Sequence, residues 1–185
     1  VGQVLLVRVD ETLDPEGFKA DAEQIVGTQI GTTNEIVAKD YFPDKEIQSF
    51  EDFPAAVLAL QSGDVDGVVI DTLAAQGFMD GDPGKMKVAG MLTSDEQLGF
   101  VFPPGSELVA AVDAALEAMI ADGSLEAINI KWGLVPGGEE EPAAMEMPDL
   151  GGMTVVVAVE NAYPPFNFLD EATGEPIGWD YDTVT

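Results

Sequence analysis

The chain has 185 residues, 46% of them hydrophobic, and 35 acidic against 7 basic side chains give it a formal charge of −28 at pH 7. That balance argues against nucleic acid or an anionic membrane surface as partner, because binding phosphates needs Lys and Arg. Cysteine and histidine are both absent, which excludes disulfides, thiolate nucleophiles, thiolate or imidazole metal sites and histidine-based triads within the chain.

The length suits one ordinary domain or two small lobes with a real core. No apolar run approaches the ~18 residues of a membrane span. So acidic a surface repels itself, and salt screens that repulsion; a salt-rich habitat is one explanation.

Residues 2–8 read as a strand, and residues 10–23 are polar and turn-rich, with room for one helical turn around Pro15 and Gly17. Residues 25–29 form a second strand, since Ile25 and Val26 are β-branched and apolar. Gly31 permits a sharp turn, and Thr32 or Thr33 is placed to cap a helix over 33–41. This stretch organises the chain: free N–H groups, hydroxyls and the positive end of a helix dipole converge at one junction, which suits a carboxylate. An ordinary capped turn accounts for the same residues.

Residues 46–48 read as a short strand. From Ser49 a helix is expected, with Phe53, Ala56, Val57 and Leu60 on one face, Pro54 in its first turn and Gly63 past its end. Asp64-Val65-Asp66-Gly67 lacks the spaced acidic ligands of a calcium loop and reads as a turn. Val68-Val69-Ile70 is an apolar strand of the kind found in a parallel sheet covered on both faces. Asp71 ends it and a short helix follows over 72–78. Further strands are expected at 87–89 and 97–102. Ser106 is the expected cap of a helix whose stripe Leu108, Val109, Val112, Leu116, Met119 and Ile120 reads as core, and Ser124 the cap of the next, through Trp132.

Residues 134–152 differ in character. Pro, Gly and three consecutive glutamates, Glu139 to Glu141, read as a flexible acidic linker rather than a cation site. An apolar strand is expected over 154–159. Tyr163-Pro164-Pro165-Phe166 comes next, then a loop or hairpin over 170–178 and a helix from Trp179.

Three segments together carry a resemblance: Gly27-Thr28-Gln29-Ile30-Gly31-Thr32-Thr33; residues 55–71 ending in Gly67-Val68-Val69-Ile70-Asp71; and Tyr163-Pro164-Pro165-Phe166-Asn167-Phe168 with Gly178-Trp179-Asp180-Tyr181-Asp182. The pair Ala121-Asp122-Gly123-Ser124 and Lys131-Trp132-Gly133 adds to it. In these the chain resembles the family 3 extracellular solute-binding proteins of polar amino-acid ABC transporters, two-lobed α/β proteins of the type 2 periplasmic-binding fold. The resemblance implies residues 1–100 as lobe 2, residues 101–133 as the return strand and closing helices of lobe 1, residues 134–152 as linker, and residues 153–185 as the opening of lobe 1 of a following or permuted module. Lobe 2 would then be complete and lobe 1 incomplete, and a second copy or fragment is expected to complete it.

The resemblance also implies a site. Gly31, Thr32 and Thr33 would bind a ligand α-carboxylate, Gln29 would touch its side chain, and Asp71 would pair with its ammonium. By spacing alone Asp71 reads equally as the cap of the following helix. Glu160 and Tyr163 occupy positions that face the cleft in the family, and Tyr163 or Phe166 would lie on the ligand's aliphatic part or give it cation–π contact. Glu160 would favour a cationic or polar side chain. The family's usual lobe-1 arginine has no counterpart, because Arg8, the only arginine, sits on the first strand; this chain alone is therefore expected to bind weakly if at all. No cofactor or metal is implied. The partners implied are a small amino acid and an ABC permease, and the location is periplasmic or cell-surface. The alternatives are an enzyme resembling cyclohexadienyl dehydratase, with Glu160 or Asp71 as general acid, and the ligand-binding domain of a receptor.

Overall fold

The computed structural model describes residues 2–94, 98–135 and 152–184. The chain divides into two compact units, Val1–Leu98 with Ala162–Pro164, and Gly99–Asn161 with Pro165–Thr185. The expected acidic linker lies largely outside the described residues, and so do Glu139 to Glu141.

The first unit is a five-stranded sheet with helices on both faces. Its strands are β1 (Gln3–Arg8), β2 (Val26–Gln29), β3 (Ile47–Phe50), β4 (Gly67–Asp71) and β5 (Met86–Met91), in the order β3-β2-β4-β1-β5. Its helices are α1 (Pro15–Ala20), α2 (Thr33–Tyr41), α3 (Phe53–Ser62) and α4 (Thr72–Gly81). Period-two alternation divides the core between the faces. Val4, Leu6, Val68 and Ile70 pack with Phe53, Ala56, Val57 and Leu60 of α3 and with Ala74 and Ala75 of α4. Leu5, Val7 and Val69 point the other way, onto Phe18 of α1, Ala38 of α2 and Phe42. Gly67 is needed where β4 passes β1, because a Cβ there would come within 2.8 Å of Leu5 Cδ1 and 2.9 Å of Phe18 Cζ.

The sheet is mixed rather than parallel. β2 runs parallel to β3 and β4, while β1 runs antiparallel to β4 and β5. The apolar run Val68-Val69-Ile70 of β4 reports burial on both faces, and helices supply that burial whatever the direction of a neighbouring strand. α3 starts later than expected. Ser49 and Phe50 belong to β3, and Asp52 Oδ1 caps the helix by accepting from Ala55 N at 2.8 Å. Gly63 closes it at φ +85°, the left-handed conformation that favours glycine. A short strand β6 (Ala162–Tyr163) also belongs to this unit.

Arg8 ties the end of β1 to the α3–β4 turn. Its Nη1 donates to the carbonyls of Leu60 and Val65 at 2.9 and 2.8 Å, and Nη2 donates to Asp66 Oδ1 at 3.1 Å. Asp66 Oδ2 in turn accepts from Ile25 N at 2.9 Å. Every arginine nitrogen that makes these bonds is committed to the scaffold. A hollow of about 420 Å³ beside it is lined by Arg8, Val9, Asp10, Gln61, Gly84 and Lys85, at the opposite end of β1 from Gln3.

The second unit contains α5 (Leu108–Asp122), α6 (Ser124–Lys131), the hairpin of β7 (Asn167–Leu169) and β8 (Pro176–Ile177), and α7 (Trp179–Thr183). Trp132 Nε1 donates to Asp182 Oδ2 at 2.5 Å, Lys131 pairs with the same oxygen at 2.6 Å, and Trp179 Nε1 donates to Asn129 Oδ1 at 2.7 Å. Four expectations are corrected here. Residues 98–102 form no strand; Phe100 instead stacks on Trp179 with ring centres 6.4 Å apart. Residues 154–159 form none either, and Val156 is 90% exposed. An apolar run becomes a strand only through hydrogen bonds to a neighbour. Of the α5 stripe only Met119 is buried, with Ile120 66% exposed; helical spacing creates an apolar stripe, but burial needs a facing surface. Gly123, at φ +82°, both ends α5 and precedes α6, so Ser124 is the first residue of α6 rather than its cap; the expected Ser106 cap is present, its Oγ accepting from Leu108 N at 3.3 Å.

Candidate functional site

The site lies where β2 and β4, neighbours and parallel, deliver their carboxyl ends to the N-termini of α2 and α4. Such an end of an α/β sheet gathers loop side chains and unpaired helix N–H groups in one place. Gly31 turns the chain at φ +74°. Thr32 is the cap of α2: its Oγ1 accepts from Glu35 N at 3.3 Å and donates to Gln29 O at 2.8 Å. Thr33 is exposed, and its Oγ1 accepts from Gln3 Nε2 at 3.1 Å, which leaves its own O–H to donate. Gln29 is buried, with Nε2 donating to Glu51 O at 3.3 Å.

Glu35 holds this turn from below. Its carboxylate accepts from Lys39 Nζ, from Gly31 N at 2.9 Å and from Ser49 Oγ at 2.8 Å. Led by the Lys39 bond, these donors pull its pKa down from 4.5 to about 2. A depressed carboxyl contributes to stability above its unfolded pKa, and the contribution is lost as pH falls through the folded value. The amide proton of Gly31 is therefore expected to titrate with a midpoint near 2 in an NMR pH series. A midpoint near 4.5 would show that the staple is not formed in solution.

Asp71 occupies the cap position of α4 but makes no capping bond with its side chain. Its carboxylate turns instead to Asn34 and Tyr163. Oδ1 accepts from Asn34 Nδ2 at 3.3 Å and Oδ2 accepts from the Tyr163 hydroxyl. Asp71 is 6% exposed and Asn34 2%. The Tyr163 ring stacks on buried Phe53, with ring centres 5.8 Å apart and planes at 30°.

Of the expected residues, Gly31, Thr32, Thr33, Asp71 and Tyr163 thus gather in the first unit, with Gln29 at the base of the turn. Glu160 and Phe166 belong to the second unit. Glu160 is exposed, whereas Phe166 is buried with its ring edge-on to Trp179 at 6.4 Å. Sequence reasoning missed three residues. Gln3 is fully buried in β1, opposite Asp71 in register; its Nε2 reaches Thr33, and its backbone N and Oε1 both meet Thr93 Oγ1. Asn34 is the third. The available signal was a glutamine heading an otherwise apolar strand and a second polar residue inside the first turn of α2. Among the described residues no cluster of acidic side chains is arranged to hold a metal ion.

A mixed sheet sandwiched by helices carries a carboxylate beside a helix N-terminus at its strand ends, and the solved structures it matches are periplasmic amino-acid-binding proteins of the type 2 fold. Residues 5–135 match the bacterial extracellular solute-binding proteins, family 3, and the chain belongs to that family. It is similar to the L-cystine-binding protein TcyJ of Escherichia coli K12, 29% identical over 108 residues that cover 58% of this chain and 41% of TcyJ. Among solved structures it is similar to the arginine-, lysine-, histidine-binding protein ArtJ of Geobacillus stearothermophilus, at 31% identity and TM-score 0.64, covering 70% of this chain and 57% of that one. It is also similar to the ancestral amino acid-binding protein AncCDT-1, a precursor of cyclohexadienyl dehydratase, at 30% identity and TM-score 0.62, covering 71% and 56%. The chain spans less than half the length of the curated relatives it matches. The fold is α/β, with one lobe present as the first unit and part of the other in the second. Among the described residues no helix is long and apolar enough to cross a membrane.

Proposed function

We propose that the chain is the ligand-gripping part of an extracytoplasmic binding protein that captures a small amino acid between two lobes and delivers it to an ABC importer. The carrying observation is the Asp71 carboxylate, withdrawn from capping α4 and set beside the N-terminal turn of α2. A zwitterion fits that pair: its ammonium on Asp71 and its carboxylate on the N–H groups and hydroxyls of Gly31 to Thr33. Gln29 and Tyr163 border the ligand side chain. The relatives named for cystine, arginine and glutamate support this ligand class. Arg8 is held by Leu60, Val65 and Asp66, so the carboxylate relies on a helix N-terminus worth only about 0.3–1 kcal/mol when exposed. Affinity is weak in consequence.

NMR titration of the 15N-labelled chain with arginine, glutamine, glutamate and cystine tests this. Amide shifts are expected at Gly31 to Asn34 and at Asp71 and Thr72. Neither a simple amine nor a simple carboxylic acid should reproduce them. No shift with any amino acid would overturn the reading. The chain is a binding module rather than an enzyme, and incubation with prephenate should leave it unchanged.

A further inference from the structure

Asn34 presents an unusual residue balance. Its Nδ2 donates to Asp71 Oδ1 at 3.3 Å, and the side chain is 98% buried, yet its Oδ1 has no hydrogen-bond partner. The amide cannot be turned over to cure this. Asp71 as a carboxylate only accepts, so the NH2 group must face it and the carbonyl must face elsewhere. Buried polar atoms are almost always partnered, and an orphaned carbonyl oxygen wants a donor. Asp71, the partner of its Nδ2, donates nothing as a carboxylate.

We infer that Asn34 is a second acceptor for the ligand's amine, so that one primary ammonium donates to both Asp71 and Asn34 Oδ1; the inference rests on the amino-acid reading above and extends it to a residue and a specificity. An ammonium has three N–H donors, whereas a side-chain hydroxyl such as that of Tyr163 has one. Only the former can satisfy a carboxylate and a carbonyl at the same time. Asp71 has unused lone pairs for it, since a carboxylate offers about four acceptor directions and two are occupied here. Both residues are nearly sealed, and the Tyr163 hydroxyl occupies Asp71 Oδ2, so binding of an ammonium requires a local opening at this point. The preference that results is for primary over N-alkylated amino acids.

The test compares the unmodified chain and Asn34→Ala by NMR titration with one amino acid and its α-N-methyl and α-N,N-dimethyl forms, alongside thermal denaturation without ligand. In the unmodified chain affinity should fall by about tenfold or more from the primary to the dimethyl amine, one lost hydrogen bond to a charged donor. Asn34→Ala should weaken the primary amine by about the same factor and flatten the series. A residue that merely positions Asp71 would weaken all three ligands equally and keep the series steep, which would overturn the inference. So would a variant that binds as the unmodified chain does, with an ordered water as the only partner of Oδ1. If Asn34→Ala does not fold, the series on the unmodified chain decides, and a dimethyl form bound within about threefold of the primary amine overturns the inference. Loss of all binding in the unmodified chain would instead sink the amino-acid reading itself.

Discussion

Asp71→Asn is expected to reduce amino-acid affinity by about two orders of magnitude while leaving the first unit folded. The substitution is close to isosteric, and it removes the charge proposed to pair with the ligand's ammonium. Losing one partner of a buried, hydrogen-bonded charge pair costs about 2–5 kcal/mol, and a factor of one hundred is about 2.7 kcal/mol. The free protein loses less. An asparagine at 71 still accepts from Tyr163 or from Asn34, though with a single carbonyl it serves the two donors less well, a cost of about 1 kcal/mol. The β4 backbone that carries Asp71 stays between β1 and β2, and Thr72 still donates through both its N and its Oγ1 to Gly2 O. Titration read beside thermal denaturation separates the two effects. Binding within threefold of the unmodified chain would remove Asp71 from the site. A collapse of the fold would make it a structural residue whose partners are Asn34 and Tyr163 alone.

The elements of the first unit were legible because they carry local signals. β1 and β4 have apolar centres, Val4 to Val7 and Val68 to Ile70, α2 has a threonine cap and Gly31 before it, and α3 ends on a glycine at positive φ. Strand direction was not legible in β4, since an antiparallel neighbour and a parallel one leave the same apolar pattern when helices cover both faces. Residues 154–159 and the α5 stripe show the complementary limit. Composition states what a segment can bury or pair with, and the outcome depends on whether a partner surface is there. The site divides in the same way. Thr32, Thr33 and Asp71 stand at the ends of strands and the starts of helices, which spacing reveals. Gln3 and Asn34 matter through register, since Gln3 lies opposite Asp71 across β1 and β4, and Asn34 reaches the same carboxylate from a helix 37 positions earlier in the chain. No local pattern encodes that convergence.

Arg8→Ala should do the reverse of Asp71→Asn: destabilise the first unit strongly and leave the contacts of the site intact. Arg8 serves Leu60 O at the end of α3, Val65 O in the turn and Asp66 Oδ1, and its side chain is only 29% exposed. Truncation takes the guanidinium from both carbonyls, leaving Leu60 O with Gly63 N, and leaves Asp66 with Ile25 N as its remaining partner. Unmaking several partly buried bonds to a charged donor costs about 2–4 kcal/mol. For a unit of this size each kcal/mol lowers the thermal midpoint by about 4–8 °C, so a drop of roughly 10 °C or more is expected. Lys85→Ala is the control: Lys85 lines the same hollow and pairs with Asp82 at 2.7 Å, but both side chains are exposed and such a pair contributes little. If Arg8→Ala melts where Lys85→Ala does, the guanidinium is not holding the turn. If it instead weakens ligand binding without lowering the midpoint, Arg8 takes part in recognising the carboxylate, and the assignment of that task to the N-terminus of α2 is wrong. The two substitutions probe the two ends of β1, with Gln3 and the carboxylate site at one and Arg8 and the scaffold at the other, and a single strand in that position separates the grip from the frame that holds it.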